Sequence, residues 1–197
     1  MRARIAISYS KISYEHREIL LSNRPESLYN ISSKGTVPVL KLNGESIIDE
    51  SLDIMKWALS KNDPDSLYKN NIRLQDSLIQ INDNIFKKQL DKYKYHTRHI
   101  ELTYKEHQKN ISSILSEYDK ALGSQKYLID NNISLADIAI FPFVRQCAYV
   151  DLLWFKAHYL LLNKWLENFK NSNLFERVMI KYPLWKEGHN GVMVKIN

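Results

Sequence analysis

The residues best placed to do chemistry are Asp49, Glu50 and Ser51, which follow Ile47-Ile48 and precede Leu52, Met55 and Leu59, apolar positions at helical spacing. Acidic and hydroxyl side chains at a helix start serve as N-caps or as ligand groups. In the second role the helix start offers unpaired backbone N–H groups and a positive dipole end to a carboxylate, with the Ser51 hydroxyl as a further donor. Glu50 then holds an ammonium, so the pair grips an amino-acid head group by both ends. Upstream, Pro38 stands between Val37 and Val39 in a run of good strand formers. Proline lacks an N–H and belongs on edge strands, at strand starts or at bulges. Either it is an edge-strand proline with no ligand, or a special geometry such as a cis Val37-Pro38 bond leaves the N–H and C=O of Val37 free to pair with an extended ligand backbone.

The elements that must position these residues are a hairpin and a helix. Two β-rich runs, 36–42 and 45–49, flank Asn43-Gly44, the dipeptide that a two-residue type I′ turn prefers because both central positions need positive φ. The hairpin runs directly into the helix beginning near Ser51. Lys34, in the turn 32–35 before the hairpin, is either a solvated turn lysine or a positive charge near a ligand carboxylate.

Val-Pro-Val-Leu at 37–40, the hairpin and Asp-Glu-Ser at 49–51 resemble the glutathione-binding half of a glutathione S-transferase. The resemblance implies a thioredoxin-like α/β N-terminal domain followed by an all-α C-terminal domain. It implies that Val37, before a cis Pro38, pairs its backbone with the cysteinyl part of glutathione, and that Glu50 and Ser51 bind the γ-glutamyl end. Asn23-Arg24-Pro25-Glu26 is similar to the segment before the second helix in omega-like members, which implies that Arg24 reaches glutathione. In cysteine-type members the nucleophile follows a first β-strand, a few residues upstream of the position of Met1. The resemblance therefore leaves the catalytic residue unassigned and expected upstream, in a chain that is either truncated or a degenerate relative.

The implied activity is glutathione-dependent transfer or thiol–disulfide chemistry on a small electrophilic or disulfide substrate, with glutathione as substrate and a homodimer as the assembly. Two other readings stand beside it: a non-catalytic scaffold or regulatory binding module of the same fold, and a nucleic-acid-associated protein. The last rests on a run from Lys87 to His99 in which basic residues alternate with Tyr93 and Tyr95, against the simpler reading of a solvated helix end and loop. The net charge of +6 suits an anionic partner of either kind.

The 197 residues, 44% hydrophobic and 25% charged, have the composition of an ordinary soluble protein and suffice for two small domains. No apolar run approaches the roughly 18 residues of a membrane span. The N-terminus carries no signal-peptide pattern, so a cytoplasmic location is the default. A single cysteine, Cys147, excludes an intrachain disulfide and a Cys-rich zinc site.

Along the chain, residues 2–10 are expected to be a helix without a capping residue before it, and 14–20 a strand with His16 on its surface. A short helix is expected from Pro25. The polar breaker 61–65 divides the chain into a domain over 1–60 and a helical domain over 66–185, leaving 186–197 as a tail in which Val192-Met193-Val194 could pack. Periodicity predicts one long helix over 71–90, another over 102–122 ended by Gly123 as a left-handed cap, further helix over 152–169, and a short one over 174–182 stopped by Pro183. Ile133-Ser134-Leu135-Ala136-Asp137-Ile138 is the clearest helix start, with Ser134 and Asp137 as a capping box of structural rather than catalytic use.

Overall fold

The computed structural model describes residues 1–43 and 46–196. The turn expected at Asn43-Gly44 involves Gly44 and Glu45, which lie outside the described residues. The chain forms two compact units, Met1–Asp65 together with Asn173–Asn197, and Ser66–Ser172.

In the first unit, α1 (Arg2–Tyr9) begins at Met1 with no side-chain cap, as the missing capping residue predicts. Ala3, Ile5, Ala6 and Ile7 are buried, and α1 packs against α3 (Ser51–Lys61), whose Ile54, Met55, Ala58 and Leu59 form the facing apolar stripe. This contact fixes where the start of α3 points. Between them the chain passes through β1 (Tyr14–His16), α2 (Glu26–Ile31), and the hairpin of β2 (Leu40–Lys41) and β3 (Ile47–Ile48). The hairpin is antiparallel, with Leu40 opposite Ile48 and Lys41 opposite Ile47. Its strands are much shorter than the runs of β-formers that announced them.

The end of the chain departs most from expectation. The last helix, α10 (Asn173–Met179), packs on α1, and β4 (Val192–Val194) pairs antiparallel with β1, Tyr14 opposite Val194 and His16 opposite Val192. A parallel bridge joins Glu18 to Leu184. Residues from Asn173 onward thus belong with the first unit, whereas the sequence placed them at the end of a helical domain with a loose tail. The physical reason is that a strand's N–H and C=O groups must find partners, and those of β1 find them in this returning segment. Only 14–16 of the expected strand 14–20 is regular, with Glu18 and Leu20 making single bridges. The side chain of His16 is 14% exposed, because Tyr182 lies over its ring at 4.5 Å between centroids and Glu18 Oε2 stands 3.2 Å from Nε2.

The second unit is helical: α4 (Ile72–Ile81), α5 (Lys87–Lys94), α6 (Tyr104–Ala121), α7 (Leu135–Ala148), α8 (Leu152–His158) and α9 (Leu160–Lys170). The long helix expected over 71–90 is present and continues to Lys94, with a π-helical turn, Asn82–Phe86, set within it that buries both Asn82 and Phe86. The helix expected over 152–169 is two, α8 and α9, parted at Tyr159. At the end of α6, Gly123 is not left-handed; its N–H donates to Lys120 O at 3.0 Å, so the helix closes through a tight i→i+3 turn.

The capping box at Ser134 is present as expected. Asp137 is fully buried and accepts from Ser134 N (3.0 Å), Ser134 Oγ (2.6 Å), Leu128 N (2.9 Å) and Trp165 Nε1 (3.1 Å). Burial raises its carboxyl pKa despite these four donors. The side chain ties α7 to the loop before it and to α9. Gln75 does the same between α4 and the start of α7, donating to Leu67 O (2.9 Å) and Asn70 O (2.7 Å) while accepting from Ala136 N (3.3 Å). Replacing Asp137 with Ala leaves three buried N–H groups unpaired and is expected to lower unfolding stability by about 3 kcal/mol or more. Ser134→Ala, which removes the cap and one of the four donors to Asp137 but leaves the carboxyl and its backbone partners in place, is expected to lower it less, by about 1 to 2 kcal/mol. Equal midpoints for the two variants in urea denaturation contradict the hub role of Asp137.

Candidate functional site

The segment 32–51 gathers the polar groups named first above. Gly35 has φ +57°, a conformation that favours glycine, and a Cβ there would run into the Tyr29 ring. This turn, closed by Gly35 N donating to Ser32 O at 3.0 Å, directs Lys34 toward the start of α3. Its ammonium lies 2.7 Å from Glu50 Oε1 and 3.1 Å from Asp49 Oδ1. Ser32, itself buried, donates from Oγ to Asp49 Oδ2 at 2.8 Å. The Ser32 hydroxyl and the Lys34 ammonium hold the Asp49 carboxyl below its ordinary pKa, and Glu50 with Asp49 holds Lys34 above its own.

Glu50 occupies the N-cap position of α3 in extended backbone conformation, yet its side chain makes no capping hydrogen bond. It is 62% exposed and turned to Lys34 instead. The first N–H groups of the helix have no intrahelical acceptor, so the start of α3 presents donors and a positive dipole end beside the Ser51 hydroxyl. The Val37–Pro38 bond is cis and Val37 is 45% exposed, immediately before β2. In the antiparallel register of Leu40 with Ile48, residues 37–38 and 50–51 leave the hairpin at the same, open end.

The structure thus gathers Lys34, Asp49 and Glu50, and sets Val37, Pro38 and Ser51 on the same turn–hairpin–helix unit. It does not join Arg24 to them: among the described residues no hydrogen bond or ion pair links Arg24 to Val37, Glu50 or Ser51. Arg24 lines a shallow cleft of about 370 Å³ with Leu20, Asn23, Trp185 and Glu187. Lys34 is the residue whose part the sequence left open, because its contact with Glu50 depends on a positive φ at Gly35 that glycine permits but does not require.

Elsewhere, the basic and aromatic run 87–99 is engaged with itself. Tyr93 is fully buried, Lys94 and Arg98 flank the Tyr95 ring at 4.8 and 5.1 Å, and Lys92 pairs with Glu101 at 3.2 Å. Cys147 is buried in α7, and desolvation pushes its thiol up to about 12. Its thiolate fraction at neutral pH is negligible. Among the described residues no group of three His, Cys, Asp or Glu is placed to hold a metal. No single described helix is long and apolar enough to cross a membrane.

Two family models match the chain: the N-terminal domain of glutathione S-transferase over residues 1–66 and the C-terminal domain of glutathione S-transferase over residues 82–173. Similar solved structures include the glutathione transferase URE2P8 from Phanerochaete chrysosporium with oxidized glutathione (TM-score 0.75, 14% identity, 89% of this chain and 86% of that one). Poplar glutathione transferase F1 matches at TM-score 0.73 and 19% identity over 90% of each chain. Glutathione S-transferase I from maize in complex with an atrazine glutathione conjugate matches at TM-score 0.73 and 20% identity, over 90% of this chain and 89% of that one. A search of curated protein sequences finds no match.

The Asp49 contacts make a pH-dependent prediction. A carboxyl whose folded pKa is depressed contributes stability above its unfolded value, about 3.9, and loses that contribution as pH falls through the depressed folded value. The midpoint of the Asp49 carboxyl titration, followed by ¹³C NMR, is expected to lie below the ordinary carboxylate range and to rise in Ser32→Ala more than in Lys34→Ala. An unshifted Asp49, or no response to Ser32→Ala, contradicts the anchoring of the turn.

Proposed function

The chain belongs to the glutathione S-transferase family, and from that premise we propose that it binds reduced glutathione along the segment 32–51 and uses it in a thiol-dependent transfer or disulfide-exchange reaction on a small electrophile or disulfide. The observation that carries this reading is the placement of Lys34, Glu50 and the uncapped start of α3 together at the end of the hairpin. Glutathione has a γ-glutamyl ammonium and carboxylate at one end, a cysteinyl amide in the middle and a second carboxylate at the other. Glu50 takes the ammonium, while the Ser51 hydroxyl and the N–H groups of α3 take the adjacent carboxylate. Val37 pairs through its backbone with the cysteinyl unit. Lys34 and Arg24 are assigned to the remaining carboxylate.

The reacting group in this proposal is the glutathione thiol, since Cys147 is buried and held protonated. The protein's task is to bind the tripeptide extended and to favour its thiolate, the reactive form of a thiol whose unperturbed pKa is about 8.5. A cytoplasmic setting, where thiols stay reduced, suits this chemistry.

We assign a homodimer to the same reading. Leu74, Leu78, Ile81 and Ile85 follow one another at four-three-four spacing along α4 and the π-helical turn, and Leu74, Ile81 and Ile85 are exposed. Such a stripe is self-complementary between two copies of one helix.

Two experiments test these statements. Calorimetric titration with reduced glutathione is expected to detect binding that weakens about tenfold in Glu50→Ala and in Ser51→Ala, the loss of one charged or charge-assisted hydrogen bond each. Binding undiminished in both variants removes the site from 49–51. Light scattering is expected to give twice the chain mass, reduced to one chain by Ile81→Glu; a monomeric parent removes the dimer.

A further inference from the structure

The returning C-terminal segment passes the loop that carries Arg24 before it pairs with β1. Trp185 N donates to Glu18 O at 2.8 Å, the Arg17 guanidinium lies 4.7 Å from the centre of the Trp185 ring, and Gly191 N donates to Glu15 Oε1 at 2.8 Å. Gly191 fits so closely that a Cβ there would strike His16 O. From this strap Glu187 crosses to the start of α2, where its Oε1 accepts from Ser27 N at 2.8 Å. The Ser27 hydroxyl also binds it, and together the two donors hold the Glu187 carboxyl below its ordinary pKa.

Two facts give this contact meaning. First, no residue of 179–196 is buried, so the strap is held by polar and aromatic contacts at the surface and opens at low free energy compared with the core. Second, Arg24 is exposed and, among the described residues, has no hydrogen-bond or ion-pair partner. Its loop is closed locally only by the Asn23 N to Leu20 O bond and the Leu28 N to Pro25 O bond on either side. An unpartnered arginine on a short loop loses conformational freedom when it takes up a ligand carboxylate, and fixing the loop beforehand reduces that loss.

We propose that Glu187 is a positioning residue: by holding Ser27 it fixes the 23–27 loop and sets the approach of Arg24 to the carboxylate of bound glutathione. The inference rests on the glutathione reading above and adds to it a segment from the far end of the chain. Glu187 touches no substrate in this arrangement. Its effect passes through Ser27 and Arg24.

The test is a double-mutant cycle read by two methods on the full chain. Amide hydrogen exchange over 23–28 is expected to quicken in Glu187→Ala and to stay at the parent rate in Glu187→Gln, which keeps an acceptor oxygen for Ser27 N. Titration with reduced glutathione is expected to weaken about fivefold in Glu187→Ala, the loss of one modest hydrogen bond, and to be restored in Glu187→Gln. In an Arg24→Ala background the Glu187→Ala change is expected to have no further effect, because residues acting as one unit are not additive. Unchanged exchange in Glu187→Ala overturns the proposal, and so do additive losses of affinity. A parent that binds no glutathione overturns the proposed function and the affinity half of this inference together, while the exchange measurement still decides whether Glu187 orders the loop.

Discussion

The first unit depends on one constraint, that the backbone of β1 must be paired. A single strand of three residues cannot satisfy its own N–H and C=O groups, and unpaired edges are both unstable and adhesive. Here the partner is β4, from the opposite end of the chain, with the Glu18–Leu184 bridge extending the pairing. That requirement brings 173–197 back to the first unit, lays α10 on α1, covers His16 with Tyr182 and carries Glu187 to α2. α1 in turn supports α3, so the direction of the site's helix start and the return of the chain end share one packing framework.

The second unit meets a different form of the same demand. Its helices bury long apolar faces, but the loops between them carry backbone groups that would be left dry. Asp137 and Gln75 resolve this with single side chains that each serve several backbone partners. A buried carboxylate is costly unless its oxygens are filled; four donors around Asp137 meet that condition.

Local features were legible in the sequence and long-range ones were not. The helix starts at Ser51 and Ser134 and the hairpin strands follow from residue types within a few positions of one another, whereas Pro38 between two valines left a cis bond and an edge-strand proline equally open until the backbone showed the bond to be cis. The π-helical turn at Asn82–Phe86 left no trace, because the apolar spacing continues through it and Phe86 and Leu90 are buried with or without it. The β1–β4 pairing joins three residues to three others nearly the whole chain away, and Val192-Met193-Val194 alone does not say which edge it seeks. Gly123 misled for the opposite reason: glycine permits a left-handed cap but does not require one. Within the site, Glu50 and Ser51 were visible as types, whereas the Lys34 contact depends on the positive φ of Gly35, which only the folded turn reveals.

That contact also says how the site can be both stable when empty and open to a ligand. Lys34 and Glu50 neutralise each other across 2.7 Å, yet both side chains are largely in water, 47% and 62% exposed. Water screens exposed pairs of this kind, so separating them demands little. On the proposed function, a ligand ammonium takes the place of Lys34 against Glu50, and the displaced Lys34 keeps a counter-charge because Asp49 Oδ1 lies 3.1 Å from it. Asp49, held in turn by the Ser32 hydroxyl, therefore makes Glu50 the exchangeable partner and leaves Lys34 neutralised in either arrangement.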